Sequence, residues 1–166
     1  VDISDGTATL QMDGGVTTLS AVTNVLVTSA TSAKPLFTIE NTTNSGVGAT
    51  LQLLKDRGAA GEANDVLGNI DFAGDDNLQA ETTFARIKST ISDVTQASAG
   101  GKLELMVASH NGTLTTGIAI TDGDAAGELD ITIGAGANSV TTVAGDLTVN
   151  GTTTTVNSTT VTIDDP

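Results

Sequence analysis

Residues 102–120 read KLELMVASHNGTLTTGIAI, and this one stretch decides the class of fold. Leu103, Leu105 and Val107 alternate with Glu104, Met106 and Ala108, the period of a strand with one buried face. A second β-rich run begins at Leu114 and reaches Ile120. Asn111-Gly112 stands between the two. Asn-Gly is a strong hairpin signal because a type I′ turn needs positive φ at both central residues. An antiparallel hairpin turning on Asn111-Gly112 is therefore expected.

Strand-like runs continue on both sides of this hairpin. Residues 49–54, 69–73 and 84–94 read as strands that complete a compact β module over 49–122 with 102–109 and 114–120. Residues 1–48 hold short alternating pieces, Thr9–Met12 and Val25–Val27, and a better strand at Leu36–Glu40 after Pro35. Turn signals at Asp5-Gly6, Asp13-Gly14-Gly15 and Ser45-Gly46 break them. This region reads as a shaft or connector. Residues 123–166 return to sparse β. Leu129–Ile133, Leu147–Val149 and Val161–Ile163 repeat an apolar–polar–apolar unit at irregular spacing, so no strict solenoid repeat is present. A short turn near Gly61–Val66 is the best candidate for helix.

Composition argues that the apolar surface is shared between chains. The 166 residues include no Trp or Tyr, and the aromatic content is Phe37, Phe72 and Phe84. Aromatics normally supply much of a buried core, so a lone chain has thin material for one. Charged residues are only 16%, and β-branched residues are abundant, which is not the composition of a disordered chain. The expectation is an all-β, elongated homotrimeric fibre. A central β-sandwich or β-prism-like module would be flanked by intertwined β-helical shaft segments. Leu129, Ile131, Ile133, Leu147, Val149, Val156, Val161 and Ile163 are its expected trimer core. Pairing with neighbouring chains would also close the open strand edges.

Six basic against twenty acidic residues give a net charge of −14. Phosphate neutralisation needs a basic surface, so nucleic acid is not an expected partner. The absence of cysteine removes disulfides and thiolate metal sites. No apolar run in residues 1–166 is long enough to span a membrane, and neither a membrane span nor a signal peptide is expected from them. The start at Val1 and the end at Asp164-Asp165-Pro166 read as a portion of a longer polypeptide, with a junction to a further domain.

Residues 147–151 (LTVNG) through 159–166 (TTVTIDDP) resemble a stretch in virion appendage proteins of tailed bacteriophages, especially of marine cyanophages. The middle of the chain is similar to β modules of long tail-fibre-like polypeptides. The relevant segments are LGNIDFAGDD at 67–76, FARI at 84–87, GKLEL at 101–105 and NGTL at 111–114. The resemblance covers residues 49–166, and residues 1–48 match in style. It implies a virion location, a homotrimer, contacts with other virion proteins and a role in host attachment.

Each candidate chemical site has a plainer structural role beside it. His110, the single histidine, precedes the Asn-Gly turn and reads as an exposed turn residue. Asp71, Asp75, Asp76 and Asn77 form one candidate set of hard oxygen ligands for Ca²⁺. Asp122, Asp124, Glu128 and Asp130 form another. The second set begins like an EF-hand loop with Gly127 at the sixth position. Ala126 at the fifth and Ile133 at the twelfth, where a bidentate Glu is required, reject that motif. Gly134-Ala135-Gly136 lacks the third glycine of a dinucleotide fingerprint. Lys55 with Arg57, and Arg86 with Lys88, lie two apart and share a strand face. Pairing with Asp56, Glu62, Glu81 or Asp93 is expected, with an acidic glycan as the competing ligand. The glycosylation-like triplets at Asn41, Asn111, Asn150 and Asn157 follow from the Thr-rich composition.

No catalytic residue and no required cofactor are expected. The chain reads as a non-enzymatic trimeric tail-fibre or spike segment. The alternatives are a head-fibre or knob-like capsid decoration, or an adhesin module that binds glycan with Ca²⁺. A polysaccharide-degrading enzyme would need paired carboxylates in a groove and, usually, aromatic platforms, which this chain nearly lacks.

Overall fold

The structure is a computed structural model that describes residues 24–151. Five strands form one sheet: β1 (Val66–Asp75), β2 (Glu81–Asp93), β3 (Gly100–Ala108), β4 (Leu114–Asp122) and β5 (Leu129–Ile133). Their order across the sheet is their order along the chain, and every neighbouring pair is antiparallel. The all-β expectation holds in this coarse form. Among the described residues there is one layer, not two facing sheets, and no helix. The turn expected near Gly61–Val66 is non-helical: Asn64 takes φ 71° and the Asp65 N–H donates to the Glu62 carbonyl at 3.1 Å.

A meander arises because each connection is short and satisfies its own backbone. In the β1–β2 turn, Asp76 Oδ1 accepts the N–H of Leu78 at 2.8 Å and of Ala80 at 3.0 Å. In the β2–β3 turn, Asp93 Oδ1 accepts the Thr95 N–H at 2.8 Å. In the β4–β5 turn, Glu128 Oε2 accepts the Ala125 N–H at 3.0 Å. These side chains replace ladder bonds that the turn residues cannot make.

The β3–β4 hairpin turns where expected, but with different geometry. The Gly112 N–H donates to the Ser109 carbonyl at 2.8 Å, so His110 and Asn111 occupy the central positions. Only Gly112 has positive φ, at 79°. This is a three-residue connection with glycine at the left-handed position, not the expected type I′ turn. Asn111 acts through its side chain instead, Oδ1 accepting the Ser109 hydroxyl at 2.7 Å and the Thr113 N–H at 3.1 Å.

The chain divides into two units between Leu51 and Gln52. In the described part of the first, the runs expected as strands at Val25–Val27 and Leu36–Glu40 belong to no ladder, and Phe37 and Leu36 are exposed. A loop there is closed by Asn41, whose Nδ2 donates to the Val47 carbonyl at 3.1 Å and whose Oδ1 accepts the Thr43 N–H at 2.9 Å. The strands expected at 49–54 and Leu147–Val149 are likewise absent. β-Branched residues favour strand only where a neighbouring strand supplies the ladder, and the described chain supplies none there. Thr9–Met12 and Val161–Ile163 lie outside the described residues.

Gly112→Ala is expected to cost about 1–2 kcal/mol, the penalty for a Cβ at left-handed φ. Gly101→Ala, where the nearest atom to a new Cβ is the Thr90 carbonyl oxygen at 3.9 Å, is expected to leave stability unchanged. Urea midpoints of the two variants check both statements.

Candidate functional site

Alternation along each strand and the register between strands sort the side chains onto two unlike faces. One row crosses all five strands as Ile70, Ile87, Leu105, Ile118 and Ile133. A parallel row reads Gly68, Ser89, Leu103, Ile120 and Ile131. A third runs Phe72, Ala85, Val107 and Thr115. None of these rows carries a charge. The rows between them face the other way and are polar: Asn69, Lys88, Glu104, Ala119 and Thr132, then Asp71, Arg86, Met106 and Thr116.

A β-bulge makes this sorting work. The β3–β4 register shifts between Leu105 and Met106, so Ile118 pairs with Leu105 while Thr116 pairs with Met106. Gly117 is the extra residue, and its carbonyl accepts the Gly134 N–H at 2.8 Å. The shift keeps Ile118 on the apolar face and places Thr116 on the polar one.

Burial is the reverse of the usual pattern. Among the described residues no apolar side chain is buried. The buried residues are Thr90 and Glu104, both on the polar face. Leu103 and Leu105, on the middle strand, remain 38% and 39% exposed, and Ile131 on β5 is 62% exposed. Leu53 folds over the β1 end of the apolar face, lying against the position a Gly68 side chain would occupy.

Several charges of the polar face pair with one another. Glu104 accepts from Lys102 Nζ at 2.8 Å and from the Thr116 hydroxyl at 2.9 Å, and Lys88 Nζ stands 3.4 Å away. The Lys102 hydrogen bond is the main cause that holds its carboxyl below the ordinary range, with Thr116 and the charges of Lys102 and Lys88 adding to it against desolvation. Arg86 forks onto Asp71, Nε to Oδ1 at 2.6 Å and a terminal nitrogen to Oδ2 at 2.7 Å, and lowers the Asp71 pKa. Arg57 reaches Glu62 and Asp65, each at 3.2 Å. Of the acidic partners expected for the basic residues, Glu62 is one that these contacts use. The other contacts go to Asp65, Asp71 and Glu104, and the last two sit directly across the ladder from Arg86 and Lys88.

Of the carboxylates expected as Ca²⁺ candidates, Asp122, Asp124 and Glu128 line one cleft beside the β4–β5 turn, but they do not form a metal cluster. Among the described residues no three His, Asp or Glu side chains converge as a metal site. Asp71 is engaged by Arg86, Asp76 by its turn amides and Glu128 by Ala125. Asp122 accepts the Ser92 hydroxyl at 2.5 Å, and Gly100 leaves room for that contact, since a Cβ there would overlap both side chains. Asp75 faces Glu81 and Asp130 faces Thr121 across their ladders, while Asp124 lies in the β4–β5 turn. Gly134–Ser139 is a loop closed by the Ala135 N–H on Ser139 Oγ at 2.8 Å, not the start of a helix. His110 is an exposed turn residue.

Of the residues expected in a trimer core, Leu129, Ile131 and Ile133 lie on β5, opposite Asp122, Ile120 and Ile118. Leu147 and Val149 are exposed outside any strand. Val156, Val161 and Ile163 lie outside the described residues. The sequence places Ile70, Ile87, Leu105 and Ile118 on expected strands, Leu105 on a buried face, but none of them in the expected trimer core. Alternation marks each of them, but only the strand order joins them into one row. No helix among the described residues is long and apolar enough to cross a membrane.

Carboxyls held below their ordinary pKa stabilise the fold above that value and withdraw their support as pH falls through the folded one. Glu104, Asp71, Asp76 and Asp93 all have lowered values. The unfolding midpoint should therefore be flat near neutrality and fall below about pH 4, where unperturbed carboxyls titrate. Glu104→Gln should cost about 1–3 kcal/mol at pH 7 by removing charged hydrogen bonds, and should shrink the acid loss. Denaturation of both proteins across pH 2–7 measures it.

Compared with protein-family models, curated proteins and solved structures, the chain matches none.

Proposed function

We propose that this chain is a non-enzymatic structural segment of a tailed-bacteriophage virion, part of a homotrimeric tail fibre or spike that supports host attachment. The observation that carries the reading is the apolar face. All five strands place a large aliphatic side chain in one cross-sheet row, and the described chain has no second layer to cover it. A sheet in this state needs a partner to bury what its sequence encodes. The resemblance of residues 49–166 to phage appendage modules supplies the biological setting.

The polar side supports a structural role as well. Glu104 and Asp71 are engaged by neighbouring cations rather than left open towards a groove. That is the arrangement of a supporting wall. In this reading the finer architecture is a β-prism-like central module, with intertwined shaft segments on either side contributed by three chains. Its neighbours are other virion proteins.

Sedimentation equilibrium of the purified chain is expected to return three times the single-chain mass. Peptides of this chain are expected in purified virions, with density on the tail. A monomer that unfolds cooperatively would sink the reading, and so would particles that lack the chain.

A further inference from the structure

We infer that the apolar face of the sheet is itself the trimer contact, covered by the same face of two further copies about a three-fold axis, with Leu105 at its centre. This rests on the trimeric reading above and names the surface that would make it.

Size is the first argument. Five strands about 4.8 Å apart make a wall about 24 Å wide, and three rows spaced about 6.8 Å along the strands give roughly 500 Å² in plan. Side chains standing off that plane raise the accessible area towards the ~800 Å² per partner that stable associations bury. A patch of this extent is large for a monomer to leave open.

Charge identifies the occupant. The chain carries −14 overall, yet the three rows of this face hold no ionisable side chain. Lys88, Lys102, Glu104, Arg86 and Asp71 all belong to rows on the opposite side. A charged partner would find nothing here to pair with, and an anionic lipid surface would be repelled by the chain as a whole. Another copy brings an equally large face with the same three uncharged rows; Asp122, at the next register position on this side, lies at the rim and is engaged by the Ser92 hydroxyl. Residues 152–166 contain Val156, Val161 and Ile163 as large apolar side chains, too few to cover three rows.

Geometry favours three copies. Three walls about 24 Å wide close a triangular prism whose walls stand about 7 Å from the axis. That is about 2 Å more than half the ~10 Å spacing of packed sheets, room that only large side chains can fill. β3 is the middle strand of five, so Leu103 and Leu105 point at the axis and are the side chains that must fill it.

The test places a charge at the proposed centre. Leu105→Asp is expected to reduce the mass from three chains to one, while Thr132→Asp, on the polar face, keeps three. Should Leu105→Asp fail to fold, single thiols give a second readout, because the chain has no cysteine of its own. The Leu105→Cys thiol is expected to label with maleimide at least tenfold more slowly than the Thr132→Cys thiol in the native trimer. The two rates should become equal once the chains are separated. A trimer that survives Leu105→Asp, or whose Leu105→Cys thiol labels as fast as Thr132→Cys, overturns this surface and leaves the trimeric reading standing. A parent chain of single-chain mass overturns both. A two-chain mass with a protected Leu105→Cys thiol overturns the three-fold arrangement.

Discussion

Cross-strand register is the constraint on which the rest of this molecule depends. Because side chains alternate with a period of two, a slip of one residue in any pairing would send a row to the wrong side. The pairings Ile70–Ile87, Ile87–Leu105, Leu105–Ile118 and Ile118–Ile133 hold one aliphatic row across five strands. The bulge at Gly117 shows what the register protects. Without it, Val107 would lie opposite Thr116, and the Thr116 hydroxyl would leave Glu104. With it, a bulky apolar face and a hydrogen-bonded polar face coexist on one layer of backbone.

A single layer of this kind inverts the usual energetics of a domain. Ordering each strand residue costs about 1–2 kcal/mol of backbone entropy, and burial of apolar area is the largest favourable term available to offset it. Here the apolar face retains much of its exposure, and the buried side chains are Thr90 and Glu104. Cross-strand ion pairs and turn hydrogen bonds define the sheet, but exposed pairs contribute little stability. In the proposed trimer the hydrophobic term would be deferred to association, which would couple the stability of the fold to chain concentration.

Much of the sheet was legible in the sequence, and the residues say why. Leu129–Ile133 is a strand with the bounds expected of it. The four strands that precede it fall on runs expected from alternation and turn residues, with ends a few residues longer at β1 and β2. The hairpin at Asn111-Gly112 was visible, but its turn type was not. Asn111 stabilises the turn by accepting hydrogen bonds, a role that leaves no trace in a dipeptide preference. Leu36–Glu40 and Leu147–Val149 share the β-branched character of the true strands, yet they join no ladder in the described chain. Propensity reports fitness for a ladder and cannot say whether a neighbour exists. The apolar row was the least legible feature, because it depends on strand order and on one glycine bulge. Its members were nonetheless marked, one strand at a time.

The same features suggest an order of events in forming the proposed trimer. Every connection in the meander is short and carries its own acceptor side chain: Asp76, Asp93, Asn111 or Glu128. Pairings between neighbours in sequence need little loop closure, so they form before long-range contacts can. Register, and with it the sorting of faces, is thus specified by local interactions within one chain. The proposed association would then have only to cover a face that is already composed. The uncharged rows then act as the selective element. In the proposed trimer, net charge would hold mismatched surfaces apart, and the three uncharged rows could meet their own copies without desolvating a carboxylate.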